Sequence, residues 1–266
     1  MSLLAPYLIF GIVLFLTSFT MLATVLFNRR IREKYLVFSV KFGVDILTAL
    51  CLCLVGCLDR SVEGQCDTIL IISTSIPFVQ ALLLVSEVAD WWLAAFSPVY
   101  FHNSSLIFRF LPFFIGVVFC VIIMTVLTVF DLTTETVQCT VSPGGTYIML
   151  AYDISLFMIT LCLGALSILL MNHLRSVYFR PIMFHFVATL LLQEIPLICV
   201  IALKYTGNLM NSSDIKKAVL ASDTTNFLVA THSLAHTAFF IYGHEDYRQA
   251  VLKMIPFFRR PASSET

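Results

Sequence analysis

The stretch PYLIFGIVLFLTSFTMLATVLFNRRIR, Pro6–Arg32, decides how the rest of the chain is read. Its first twenty-two residues carry no charge, and Arg29, Arg30, Arg32 and then Lys34 follow at once. A run of about 20 apolar residues is what a helix needs to cross the hydrocarbon of a bilayer. A knot of arginine and lysine directly after such a run marks the inner face of the membrane. Nothing basic precedes the run, unlike a cleavable leader, so it is expected to remain as a signal anchor.

Outward from this stretch the same pattern repeats. The chain is 59% hydrophobic and only 12% charged, with a mean hydropathy of +0.93, whereas a soluble domain is about a quarter charged. Six further apolar runs follow, at Tyr35–Leu58, Thr68–Phe96, Leu106–Phe130, Thr146–Met171, Pro181–Leu203 and Ala218–Tyr242. They lack the alternation and shortness of barrel strands, and backbone groups in lipid must bond within their own segment, so each is expected to be a helix. The expected fold is an all-α membrane protein. It is a seven-transmembrane helix bundle over 1–243, with a short amphipathic C-terminal helix and tail over 244–266.

Lysine and arginine orient the bundle. Arg29, Arg30, Arg32, Lys34, Arg109, Arg175, Arg180, Arg248, Lys253, Arg259 and Arg260 fall on one side, and Arg60, Lys204, Lys216 and Lys217 on the other. Eleven against four puts the tail in the cytoplasm and, with seven crossings, the N-terminus outside, as in a multi-pass plasma-membrane protein. Of the two Asn-x-Ser sequons, Asn211 then lies outside and Asn103 inside. A net charge of zero gives no basic surface for nucleic acid, so no such partner is expected. No Gly-rich phosphate loop or Ser-His-Asp order is visible, and neither enzyme activity nor a cofactor is expected.

Of the eight cysteines, six lie in or beside apolar runs. Cys66 in GQCD and Cys139 in VQCT fall in polar stretches on the outer side. The exterior is oxidising, so a disulfide between them is expected. Asp90, in SEVADWW, stands 24 residues beyond Cys66, or about 36 Å along a helix. The third segment is thus expected to be stapled outside by Cys66 and to present Asp90, Trp91 and Trp92 inside.

In this joint spacing the chain resembles the rhodopsin-like G-protein-coupled receptors, in particular the divergent nematode chemoreceptor and peptide-receptor relatives. That family has a cysteine at the outer end of helix three, a disulfide to the second outer loop and an Asp-Arg-Tyr triplet at the inner end. Here Cys66, Cys139, Asp90-Trp91-Trp92 and Pro98 fall in that order. Asp45 stands midway along the second segment, Pro196 matches the proline of helix six, and EDYRQAVLKMIPFF resembles helix eight, with Tyr247, Val251, Leu252 and Ile255 as its apolar face. The resemblance implies a receptor for an extracellular small-molecule or peptide ligand, with a heterotrimeric G protein as partner inside. Trp91 replaces the triplet arginine, so the charge that meets the G protein is missing. In the seventh segment, counting back from Tyr247, His236-Thr237-Ala238-Phe239-Phe240 replaces Asn-Pro-x-x-Tyr, which makes His236 and Phe240 the switch positions beside Asp90, Trp91 and Trp92; an alternative register makes Tyr242 the motif tyrosine. Helix one lacks the family's asparagine, helix four its tryptophan and helix five its proline, and Glu194 takes the place of the aromatic before Pro196.

The resemblance places ligand contacts among Ser73, Thr74, Asp153, Gln193, Glu194 and Asn226. Ionised Asp153 and Glu194 would favour a cationic ligand; protonated, they would only hydrogen-bond. A polar core of Asp45, Gln80, His232, Ser233 and His236 is expected deeper in the bundle, where a buried ionisable group lines a cavity or pairs with another. For Asp45 the plain structural reading is a partner for Lys41, one turn earlier. An alternative function uses His232 and His236, the HxxxH of the seventh segment, as zinc ligands of an intramembrane hydrolase, with His185 as the third histidine and Asp45 as acid.

Overall fold

The computed structural model describes residues 4–58, 63–97, 146–173, most of 187–199 and 212–254, with scattered positions between 99 and 126. Six α-helices are resolved among them: α1 (Leu4–Phe27), α2 (Arg29–Cys57), α3 (Glu63–Phe96), α4 (Thr146–His173), α5 (Ser212–Gly243) and α6 (Glu245–Met254). A π-helical turn, Leu190–Glu194, lies between α4 and α5. Among the described residues there is no strand. The first, second, third, fifth and seventh apolar runs each form one helix, and the fourth and sixth are helical or π-helical wherever described from position 108 on.

α1 keeps its threonine hydroxyls out of the apolar surroundings by bonding them backwards. Thr17, Thr20 and Thr24 Oγ1 donate to the carbonyls of Val13, Leu16 and Thr20 at 2.9, 2.7 and 2.8 Å, so none needs an outside partner. One residue separates α1 from α2. Asn28 is extended (φ −107°, ψ 105°), and its side chain accepts the Ile31 amide at 3.4 Å, satisfying one of the donors that a helix start leaves open. The result is a tight antiparallel hairpin. At Gly11 the two backbones nearly touch: a Cβ there would collide with Cys53 Sγ and stand 3.0 Å from the Ala49 carbonyl oxygen.

The polarity of the molecule is turned inside out. Ile12, Leu16 and Phe19 of α1, Leu47, Leu50 and Leu54 of α2, and Ile154, Met158, Leu161 and Ile168 of α4 are exposed. Lys41, Asp45, Gln80, Glu87, Asp90, Asn226, His232 and His236 are buried. The exposed residues recur at three- and four-residue spacings and so form apolar stripes along each helix, a surface far larger than water tolerates on a monomer. Two stretches among the described residues, Ala5–Phe27 and Ser39–Cys57, are long and apolar enough to cross a membrane, with hydropathies of 2.3 and 2.0.

A wide turn sits directly before Pro196: the Ile195 amide bonds the Leu190 carbonyl, one residue further back than in an α-helix. Proline supplies no amide for the carbonyl four residues earlier, and its ring pushes that turn open, which is where π-turns form. Pro77 lies within α3.

Candidate functional site

The interior network starts from an ion pair on α2. Lys41 Nζ stands 3.3 Å from Asp45 Oδ2, with both side chains buried. Four residues is one helical turn, so the pair shares a face by sequence alone. Gln80 of α3 ties it to the neighbouring helix, donating from Nε2 to Asp45 Oδ1 at 2.9 Å and to Thr48 Oγ1 at 3.1 Å. One step inward, His236 Nε2 of α5 meets Glu87 Oε1 of α3 at 3.1 Å, within electrostatic reach of Lys41 and Asp45. His232, one turn earlier on α5, pairs its Nε2 with Thr189 Oγ1 at 3.0 Å. Apart from the Lys41–Asp45 pair, each link joins separate helical segments, so the network fixes their mutual register as apolar packing alone would not.

Of the residues expected to meet a ligand, Ser73, Gln193 and Asn226 are buried. Ser73 Oγ, Gln193 Oε1 and both amide atoms of Asn226 meet no hydrogen-bonding group among the described residues. The side chains of Thr74, Asp153 and Glu194 lie outside those described, although their backbones are helical. The expected Cys66–Cys139 disulfide also falls outside: α3 includes Cys66 only as backbone, and Cys139 is not described. The expected polar core comes together in part. Asp45 and Gln80 are bonded, and His232, Ser233 and His236 are buried nearby on α5, but Asp45 takes Lys41 as well.

The end of the bundle next to α6 is a cluster of rings. Tyr35 sits where α2 departs from helical geometry (φ −119°, ψ 21°) and packs edge-on against Phe240, His244 and Tyr247 at 5.4, 5.1 and 5.6 Å. Its hydroxyl donates to Asp246 Oδ1 at 2.9 Å and lies 3.2 Å from His244 Nδ1. Tyr247 donates to the Met21 carbonyl at 2.6 Å, and burial pushes its phenol well above the usual range, so it remains a donor. α6 is therefore docked under α1 and α2 through Tyr247, Ala250 and Val251. Leu252, assigned to this apolar face from the sequence, is exposed instead, because 100° per residue carries it past the buried stripe. Asp90 is buried, Trp92 stacks on Phe96 at 4.8 Å, and the Trp91 side chain is outside those described.

Sequence reasoning passed over Glu87, although it lies in the same stretch as Asp90. The signal was its spacing: Ser73, Gln80 and Glu87 recur every seven residues and share one face of α3. Tyr7, whose hydroxyl meets Asp223 at 2.5 Å, carried no such signal. For the zinc reading, His232 and His236 rings are 6.4 Å apart and bond to different helices. Among the described residues no group of three His, Cys, Asp or Glu side chains is placed to hold a metal, and His185 lies outside them. No known family pattern matches the chain, and no curated protein matches it.

Proposed function

We propose that the chain is a seven-span membrane receptor of the rhodopsin-like kind, with its N-terminus outside, that senses an extracellular small-molecule or peptide ligand. The observation that carries this is the inverted polarity of the helices: apolar stripes outside, and inside a network of Lys41, Asp45, Gln80, Glu87 and His236 spread over three of them. Buried ionisable groups in a membrane are costly and mark functional interiors. A network that bonds helices to one another is the kind of element a ligand can bias between two arrangements. The amphipathic α6 docked beneath α1 and α2 supports a cytoplasmic end laid along the membrane surface.

Coupling to a heterotrimeric G protein belongs to the same proposal and hinges on Trp91. Nucleotide exchange on purified G protein, measured for the native receptor and Trp91→Arg at matched surface expression, tests it. Arginine restores a guanidinium able to bond a protein surface in a fork, so the variant is expected to raise basal or ligand-evoked exchange. Strong native coupling that is lost on adding arginine overturns this account of Trp91. Orientation is tested separately: any glycan belongs at Asn211 and none at Asn103, and Cys66 and Cys139 resist alkylation until a reductant is added.

A further inference from the structure

The bond between His236 and Glu87, 149 positions apart, sets a register between two helices. Ile69 and Ile76 of α3 share a core cluster with Val229 and Ala230 of α5, so the helices run in the same direction and the same offset holds along both. Asn226 then stands at the height of Pro77, Ser233 at that of Leu84 and Thr237 at that of Val88. Taken in order of depth, Ser73, Asn226, Gln80, Ser233 and Thr237 follow one another at intervals of about 5–6 Å over roughly 22 Å of helix axis. All five are buried. Ser73 Oγ, both Asn226 amide atoms, Gln80 Oε1, Ser233 Oγ and Thr237 Oγ1 meet no hydrogen-bonding group among the described residues.

We propose that this ladder, where α3 and α5 pack beside α2, lines a hydrated crevice that takes a small, neutral, water-soluble ligand able both to donate and to accept hydrogen bonds. This rests on the membrane-receptor reading above and adds the chemistry of the ligand. The amide oxygens of Gln80 and Asn226 accept, the Asn226 nitrogen donates, and the hydroxyls do either. Along the ladder Asp45 is paired with Lys41, and Glu87 Oε1 lies within hydrogen-bond distance of His236 Nε2. A charged ligand would have to displace one of those partners. Polar atoms left unmet in a membrane interior cost several kcal/mol each, and a hydrogen-bonding occupant about the size of the rung spacing removes that cost.

The test is thiol accessibility in the full chain in proteoliposomes, with Cys57, Cys162 and Cys199 replaced by alanine. The probe is 2-hydroxyethyl methanethiosulfonate, itself neutral and hydrogen-bonding, which transfers its thioethanol group to a cysteine thiolate and releases methanesulfinate. Ser73→Cys, Asn226→Cys and Ser233→Cys are expected to react, with Ser233→Cys within about tenfold of Ser73→Cys, because only a thiol reached by water ionises. Leu163→Cys in the dry core, and Leu16→Cys and Leu47→Cys on the apolar exterior, are expected to be at least about a hundredfold slower for the same reason. Thr237→Cys repeats the deep measurement if Ser233→Cys fails to fold. Reaction at Ser73→Cys with none at Ser233→Cys or Thr237→Cys overturns the crevice and leaves the membrane reading standing. Rapid reaction at Leu16→Cys and Leu47→Cys overturns the membrane reading itself.

Discussion

The α1–α2 hairpin and the α3–α5 seam are both helix pairs in one molecule, and they share one apolar cluster, but among the described residues only the seam adds polar bonds between its helices. In the hairpin the helices approach until Gly11 leaves no room for a side chain against Cys53 and Ala49, and Leu14 and Leu52 close the core beside them. Along the seam the apolar contact of Ile69 and Ile76 with Val229 and Ala230 gives way to a polar one, Glu87 with His236, beside a ladder of amides and hydroxyls, and Gln80 turns from α3 to Asp45 of α2. Dispersion between close backbones needs only shape, so it suits a pair that keeps one arrangement. Hydrogen bonds and ion pairs are specific to geometry and exchangeable, so they suit a pair that must choose between two. Under the proposed receptor function, the hairpin is the scaffold and the seam the part that responds.

The largest expected effect comes from breaking the charge balance beside the seam. Lys41→Leu leaves Asp45 buried without its cation, a loss of about 3–5 kcal/mol for a buried pair. Surface expression should collapse, and Lys41→Leu with Asp45→Leu should recover much of it; a single variant as stable as the native protein would show that the pair is not a structural partnership. Next is the hairpin. Gly11→Leu should cost about 1–3 kcal/mol through overpacking, read as a lower melting temperature in detergent, while ligand response at matched expression stays unchanged. An altered response would erase the division between scaffold and response.

Smaller still is Tyr247→Phe, which gives up the bond to the Met21 carbonyl and should cost about 1 kcal/mol. Burial raises the folded phenol's pKa above its unfolded value, so its contribution is complete below the unfolded pKa near 10 and falls as pH rises above it. The native protein should therefore lose stability more steeply above about pH 10 than Tyr247→Phe does, and parallel melting curves there would rule out a buried, protonated phenol. The smallest expected effect is at Leu252, exposed on α6: Leu252→Gln should stay within about 0.5 kcal/mol. Val251→Gln, on the buried face, should exceed it in the same melting assay.

Composition and periodicity by themselves determined the helical character and the positions of the helices. Apolar runs of bilayer length with at most one charge can satisfy their backbone only as helices, so Pro6–Phe27 or Thr146–Met171 needed no tertiary information to be recognised. Asp45 and Lys41 were readable as a pair for a similar reason, since one turn of helix places them together in any fold. Only the tertiary structure decided that Gln80 completes that pair, that Glu87 rather than the more conspicuous Asp90 meets His236, and that Tyr35 reaches across 211 positions to Asp246. Partners on different helices depend on rotation and relative height, and a few residues of slip changes both. The π-turn before Pro196 is one such slip. Local sequence sets each helix's own period, but the offset between two helices is set by everything packed around them.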